Sequence, residues 1–129
     1  MHIKIDFFQN NFIQAIGAGV YEVSIQKDNK SSVLYIGESV FVLVRCASHL
    51  YELKKNPEYF GFTHETITDP SITLRFRLLK QLDNKGERKK EELNLIKKIQ
   101  PLSQRGVNDY QKKIEEKVSA LTRFLTEKN

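Results

Sequence analysis

The sequence is poor in sulphur and in chain breakers, with one cysteine, one methionine, three prolines and no tryptophan in 129 residues. A single thiol cannot close an internal disulfide, so Cys46 supplies no covalent staple and fits a reducing compartment. The paired Cys and His spacings of a zinc finger are missing too. No apolar run approaches the roughly 20 residues that cross a bilayer. Asp6, Gln9, Asn10, Asn11 and Gln14 interrupt the start of the chain, where a secretory signal would carry its apolar stretch. These absences exclude a disulfide scaffold, a zinc finger and a membrane span, and the expectation is a soluble, cytoplasmic protein with no membrane partner. Internal repeats, low-complexity tracts and an interdomain linker are also lacking. Residues 1–129 therefore read as a single domain, long enough to bury a modest core unaided.

Positive charge is in surplus, and it is unevenly spread. Residues 1–70 carry six Lys and Arg against eight Asp and Glu, a net −2, whereas residues 71–129 carry fifteen against eight, a net +7. A basic half suits a polyanion, because each cation placed near a phosphate releases condensed counterions. The densest stretch is KGERKK at residues 85–90, which reads equally well as a solvated loop and helix start.

The hydrophobic pattern is mixed α/β. GVYEVSIQ (19–26) alternates as a strand, with Tyr21, Val23 and Ile25 on one face and Val20, Glu22 and Ser24 on the other. The polar cluster KDNKSS then predicts a hairpin with a long loop returning through VLYIG (33–37). SITLRFRLL (71–79) predicts a third strand, with Ile72, Leu74, Phe76 and Leu78 inward and Thr73, Arg75 and Arg77 outward. A helix follows over 84–99, stopped by Pro101. A last amphipathic helix over 108–127 places Tyr110, Ile114, Val118, Leu121 and Leu125 on one stripe, with Asn108 as its cap. The segment SVFVLVRCASHLYELKK (39–55) is ambiguous. Its β-branched start favours a strand and its end favours a helix.

Within this pattern, GVY at Gly19–Tyr21, YIG at Tyr35–Gly37 after thirteen intervening residues, Arg45, His49 and ELNLIKKIQP at Glu92–Pro101 occur in order. Together they resemble the GIY-YIG nuclease family, over about residues 19–104. The resemblance implies a small three-stranded antiparallel sheet flanked by helices, here with an added C-terminal helix. It places Tyr21 and Tyr35 on the first two strands, and Arg45 and His49 on the helix that follows, so it favours a helix for 39–55.

The resemblance also implies a metal-dependent DNA endonuclease that uses Mg²⁺ or Mn²⁺. Tyr21 matches the tyrosine beside the attacking water, proposed as general base, and Tyr35 the one that orients water or phosphate. Arg45 matches the arginine on the scissile phosphate, His49 the residue supporting the first tyrosine, and Glu92 the metal carboxylate. Gln104 stands where the family pattern has asparagine, on a longer arm that still offers an amide to the site. Hydrolysis of a phosphodiester needs an activated water, neutralised phosphate oxygens and help for the departing oxygen, and these residue types supply those needs. Lys85, Arg88, Lys89 and Lys90, with Arg105, are expected to border the phosphate groove.

Each of these residues also has an ordinary structural explanation: half-buried strand tyrosines, a solvated helix face, and carboxylates near a helix start. The alternative function is a catalytically silent relative that binds nucleic acid or a protein partner. A homodimer or a larger complex fits either reading, since one site cuts one strand.

Overall fold

A computed structural model of the chain describes residues 1–104 and 110–127. Along the chain, β1 (Lys4–Phe7), β2 (Gly19–Lys27), β3 (Lys30–Ser39) and α1 (Val42–Lys55) are followed by two 3₁₀ turns, at Pro57–Tyr59 and Thr66–Thr68. Then come β4 (Ile72–Gln81), α2 (Lys85–Ile99) and α3 (Tyr110–Thr126). No helix among the described residues is long and apolar enough to cross a membrane.

The four strands form one mixed sheet in the order β1-β4-β2-β3. Strand β2 pairs antiparallel with both β3 and β4, which gives the three expected strands. The fourth was not expected: β1 adds to the far edge, parallel to β4, with Lys4 opposite Thr73. Four residues are too few to show a period, and pairing with a distant strand decides their conformation. The hairpin also departs from expectation, because the β2–β3 ladder continues to Lys27 opposite Lys30, leaving only Asp28 and Asn29 in the turn. Asp28 takes φ 55, a left-handed value that aspartate tolerates better than most residues. Ser31 and Ser32, expected in a loop, are ladder residues opposite Gln26 and Ile25.

The ambiguous segment is helical from Val42. Val42, Cys46, His49 and Leu53 are buried, a spacing of three and four that only a helix gathers into one stripe, while the β-branched Val40 and Val44 remain exposed. Tertiary contacts make up for the weak local propensity at its start. The N–H groups of Val42 and Leu43 donate to the carbonyls of Gly17 (2.8 Å) and Ala15 (3.2 Å), so helix donors that would lack partners are satisfied. Helix α2 is capped by Asn84, whose side chain accepts from the N–H of Glu87, and it ends at Gln100 in a left-handed conformation. Leu121 and Leu125 of α3 join the core, and Lys30 of the hairpin donates to the carbonyls of Phe124 and Glu127 at the end of α3. The expected cap Asn108 lies outside the described residues.

The core beneath the sheet combines Tyr21, Val23 and Ile25 of β2 with Ile72, Leu74 and Phe76 of β4, the α1 stripe, Phe60 and Phe62. Both motif glycines are held to their size by close approach. A Cβ on Gly19 would lie 2.6 Å from the carbonyl oxygen of Lys80, and one on Gly37 would lie 2.4 Å from the Tyr21 hydroxyl and 2.9 Å from the Tyr35 ring. Gly37→Ala therefore has to displace the phenol of Tyr21 within a packed core. It should cost about 1–3 kcal/mol, read as a lower urea midpoint at unchanged m value.

Candidate functional site

Strands β2 and β3, the helix α1 and the first 3₁₀ turn bring three phenols, an imidazole and a guanidinium together. The hydroxyl of Tyr21 lies 2.7 Å from Nε2 of His49, and Nδ1 of His49 lies 2.7 Å from the hydroxyl of Tyr59. The rings of Tyr21 and Tyr35 stack at 6.3 Å, and Tyr35 meets the imidazole edge-on at 5.0 Å. Arg45, one turn before His49 on α1, is exposed, and its charge is near enough to Tyr21 and Tyr35 to oppose the rise of both phenols. Four of the residues singled out in the sequence are thus gathered here: Tyr21, Tyr35, Arg45 and His49.

Burial sets the electrostatics. Tyr21 has no exposed surface, and this pushes its phenol far above the usual range, with Cys46 and Tyr35 adding to the shift and Arg45 opposing it. Tyr35 is raised for the same reason, with Arg45 holding it back and Glu92 adding to the rise. His49 is lowered to about 4, first by burial and then by the positive charges of Arg45 and Lys117. It is therefore a neutral imidazole at pH 7, able to accept a proton. Tyr21, Tyr35 and Tyr59 face it from the sheet and the turn, Arg45 and Cys46 from its own helix, and Lys117 from α3.

Glu92 approaches from α2 and is near enough to Tyr35 to raise it. Its carboxyl is itself raised by burial; Lys89 opposes this and the charge of Glu38 adds to it. Glu38 directly follows YIG, and its side chain is only 10% exposed. Lys89 lies 3.8 Å from one carboxylate and 4.0 Å from the other. Among the described residues no three His, Cys, Asp or Glu gather as a ready metal cage. A half-buried carboxylate beside a second one still fits a hard divalent cation that keeps most of its ligands as water and phosphate oxygen, which is how Mg²⁺ is usually held. Glu92 would hold it, with Glu38 adjacent.

The remaining sequence candidates do not converge on this place. Arg88 is 5% exposed and is not free for phosphate: its guanidinium bonds Glu38 (3.3 Å) and the carbonyls of Leu82 (3.2 Å) and Asp83 (2.6 Å). It serves as the buried counter-charge of Glu38. Gln104 also departs from expectation, since its amide accepts from the N–H of Ile36 and donates to its carbonyl, both at 2.8 Å, and so extends the edge of β3 like a strand residue. Lys85 and Lys90 are exposed. On the helical wheel Lys85 shares the side of Glu92, while Lys90 stands about 200° away. Arg105 lies outside the described residues.

Tyr59 and Glu38 were missed in the sequence. NPEY carries a turn signal but nothing that points its tyrosine at His49, and Glu38 follows YIG without any periodic pattern to mark it. Comparison with protein-family models, curated proteins and solved structures finds no match to this chain.

Two outcomes follow from this geometry. His49 is neutral in the fold and lowered to about 4 from 6.5, so the unfolded chain takes up its proton first on acidification. The corresponding stability is complete above pH 6.5 and is lost as the pH falls towards 4, a change of about 3 kcal/mol. Urea midpoints measured across this range should fall in the wild type and be flatter in His49→Asn. Arg88→Ala leaves Glu38 buried without its counter-charge and should cost about 3–5 kcal/mol, while Lys85→Ala and Lys90→Ala should stay within about 0.5 kcal/mol, all read by urea unfolding at pH 7.

Proposed function

We propose that this chain is a metal-dependent DNA endonuclease of the GIY-YIG type. The observation that carries this reading is the 2.7 Å hydrogen bond between Tyr21 and His49, in a cluster that also holds Tyr35 and Arg45 and has Glu92 at its rim. The order of β3, β2 and β4 and the helix directly after the second motif strand also support it.

A divalent cation on Glu92, Mg²⁺ or Mn²⁺, would supply charge neutralisation for the phosphate and the departing oxygen. The chain's own groups do the rest. Arg45 offers a forked, permanently charged donor to the phosphate, and Tyr35 orients water or phosphate beside it. Burial opposes a standing phenolate on Tyr21, so Tyr21 works by passing its own proton to the neutral His49 as it takes one from water. Because Tyr21 has no exposed surface, its hydroxyl has to be uncovered before water can reach it.

That same burial favours a second reading, a silent relative that binds nucleic acid or a protein partner as one subunit of a homodimer or larger complex. Plasmid nicking separates the two. With Mg²⁺ or Mn²⁺ the wild type should cut and a chelator should stop it; no cutting with either metal leaves the binding role. Glu92→Gln keeps the size and removes the charge, so cleavage should fall to near background while DNA affinity holds. Glu91→Gln, about 100° away on the helix, should cut at close to the normal rate. The reverse result would place the metal on the wrong carboxylate.

A further inference from the structure

The two nitrogens of His49 each lie 2.7 Å from a phenol oxygen, so two hydrogen-bond directions are geometrically open. In one, the Tyr21 hydroxyl donates to Nε2 and the Nδ1–H donates to Tyr59. In the other, both bonds run backwards. Burial decides between them. Tyr21 has no exposed surface, and among the described residues His49 is the only hydrogen-bond partner of its hydroxyl. Were Nε2 to carry the proton, the Tyr21 O–H would point at no acceptor inside the core, a buried donor left unsatisfied. The Tyr59 hydroxyl has no such constraint. Tyr59 is partly exposed and lines a groove of about 220 Å³ between α1 and α3, with Glu52, Asn56, Lys113 and Lys117 on its walls, so its O–H can donate to water.

We propose that Tyr59 is a positioning residue of the site: its oxygen accepts the Nδ1–H of His49, which leaves Nε2 bare for the Tyr21 proton and opens a proton exit into the groove. This rests on the endonuclease reading. The transfer balances without any further reactant. Water gives a proton to the Tyr21 oxygen as its own oxygen bonds to phosphorus and the bond to the departing oxygen breaks. Tyr21 gives its original proton to Nε2, Nδ1 gives its proton to the Tyr59 oxygen, and the Tyr59 hydroxyl releases one to groove water. The ring ends in the opposite tautomer; in the reset, groove water returns a proton through Tyr59 to Nδ1, Nε2 returns its proton to Tyr21, and the surplus Tyr21 proton passes through water to the departing oxygen. Tyr59 touches neither substrate nor reacting atoms and acts only through His49.

The test is nitrogen-15 NMR of the full-length protein labelled in histidine, with His49→Asn assigning the resonance against those of His2 and His64. At pH 7 the wild type should show an exchange-protected proton on Nδ1 of His49 and a bare Nε2. Tyr59→Phe keeps the ring in place, and it should lose that protection, lowering kcat about 10- to 100-fold at unchanged KM for DNA, less than the loss expected for Tyr21→Phe. A proton found on Nε2 in the wild type would overturn the assignment. So would a Tyr59→Phe variant that cuts at the normal rate while Tyr21→Phe is inactive, an outcome that leaves the endonuclease reading intact. If the wild type cuts nothing, it is the endonuclease reading that falls, and the position of the proton alone then decides the assignment.

Discussion

The hydrogen bond between the Tyr21 phenol and the His49 imidazole ties the central strand to the first helix, and the surrounding structure is arranged to keep it dry. Tyr21 sits on β2, one of the two inner strands of the sheet, and His49 sits in the buried stripe of α1. Placing a phenol and an imidazole in a core is costly unless their polar atoms meet, because a buried polar group without a partner loses its hydration for nothing. The fold meets that condition, since no described buried side-chain nitrogen or oxygen lacks a partner. The bond therefore also fixes a register. If α1 turned by one residue, His49 would leave its partners and Tyr21 would have none.

The two glycines of the motif follow from the same constraint. Gly37 lies against the Tyr21 ring and hydroxyl, and Gly19 lies against the carbonyl of Lys80. The first leaves room for the phenol on the neighbouring strand, and the second lets β4 close on β2 where the ladder between them shifts at Val20 and Tyr21. Val20 and Tyr21 point to opposite faces by ordinary strand alternation, and both are buried.

Much of this was legible in the sequence, and the rest was not for identifiable reasons. The alternation of Ile72, Leu74 and Phe76 stated both the strand and its inner face, and Asn84 and Pro101 bounded α2. The spacing of Tyr21, Tyr35, Arg45 and His49 carried the cluster, although local propensity could not decide between strand and helix for 39–55. Tertiary donors and acceptors decided it, through the carbonyls of Ala15 and Gly17. Strand β1 was hidden because its four residues depend on a distant partner. Tyr59 was hidden because a turn residue has no period. Charge misled at Arg88 and the motif at Gln104, since a sequence counts polar groups without showing which are already engaged by carbonyls, a carboxylate or a strand edge.

Arg88 has a consequence for Glu92 beyond its own burial. The two stand four residues apart on one side of α2, and both lie by Glu38: Arg88 bonds its carboxylate, and Glu92 feels its charge. Arg88 is nearly buried and makes further bonds to two carbonyls, so it neutralises Glu38 firmly. Lys89 is about half exposed and stays 3.8 Å or more from either carboxylate, an arrangement that solvent screens to little net attraction. The strong cation of KGERKK is thus committed to Glu38 and only a weak one is offered to Glu92. This leaves Glu92 raised by burial and by the neighbouring Glu38 and without a firm counter-charge of its own, the condition in which a carboxylate gains most from an incoming cation.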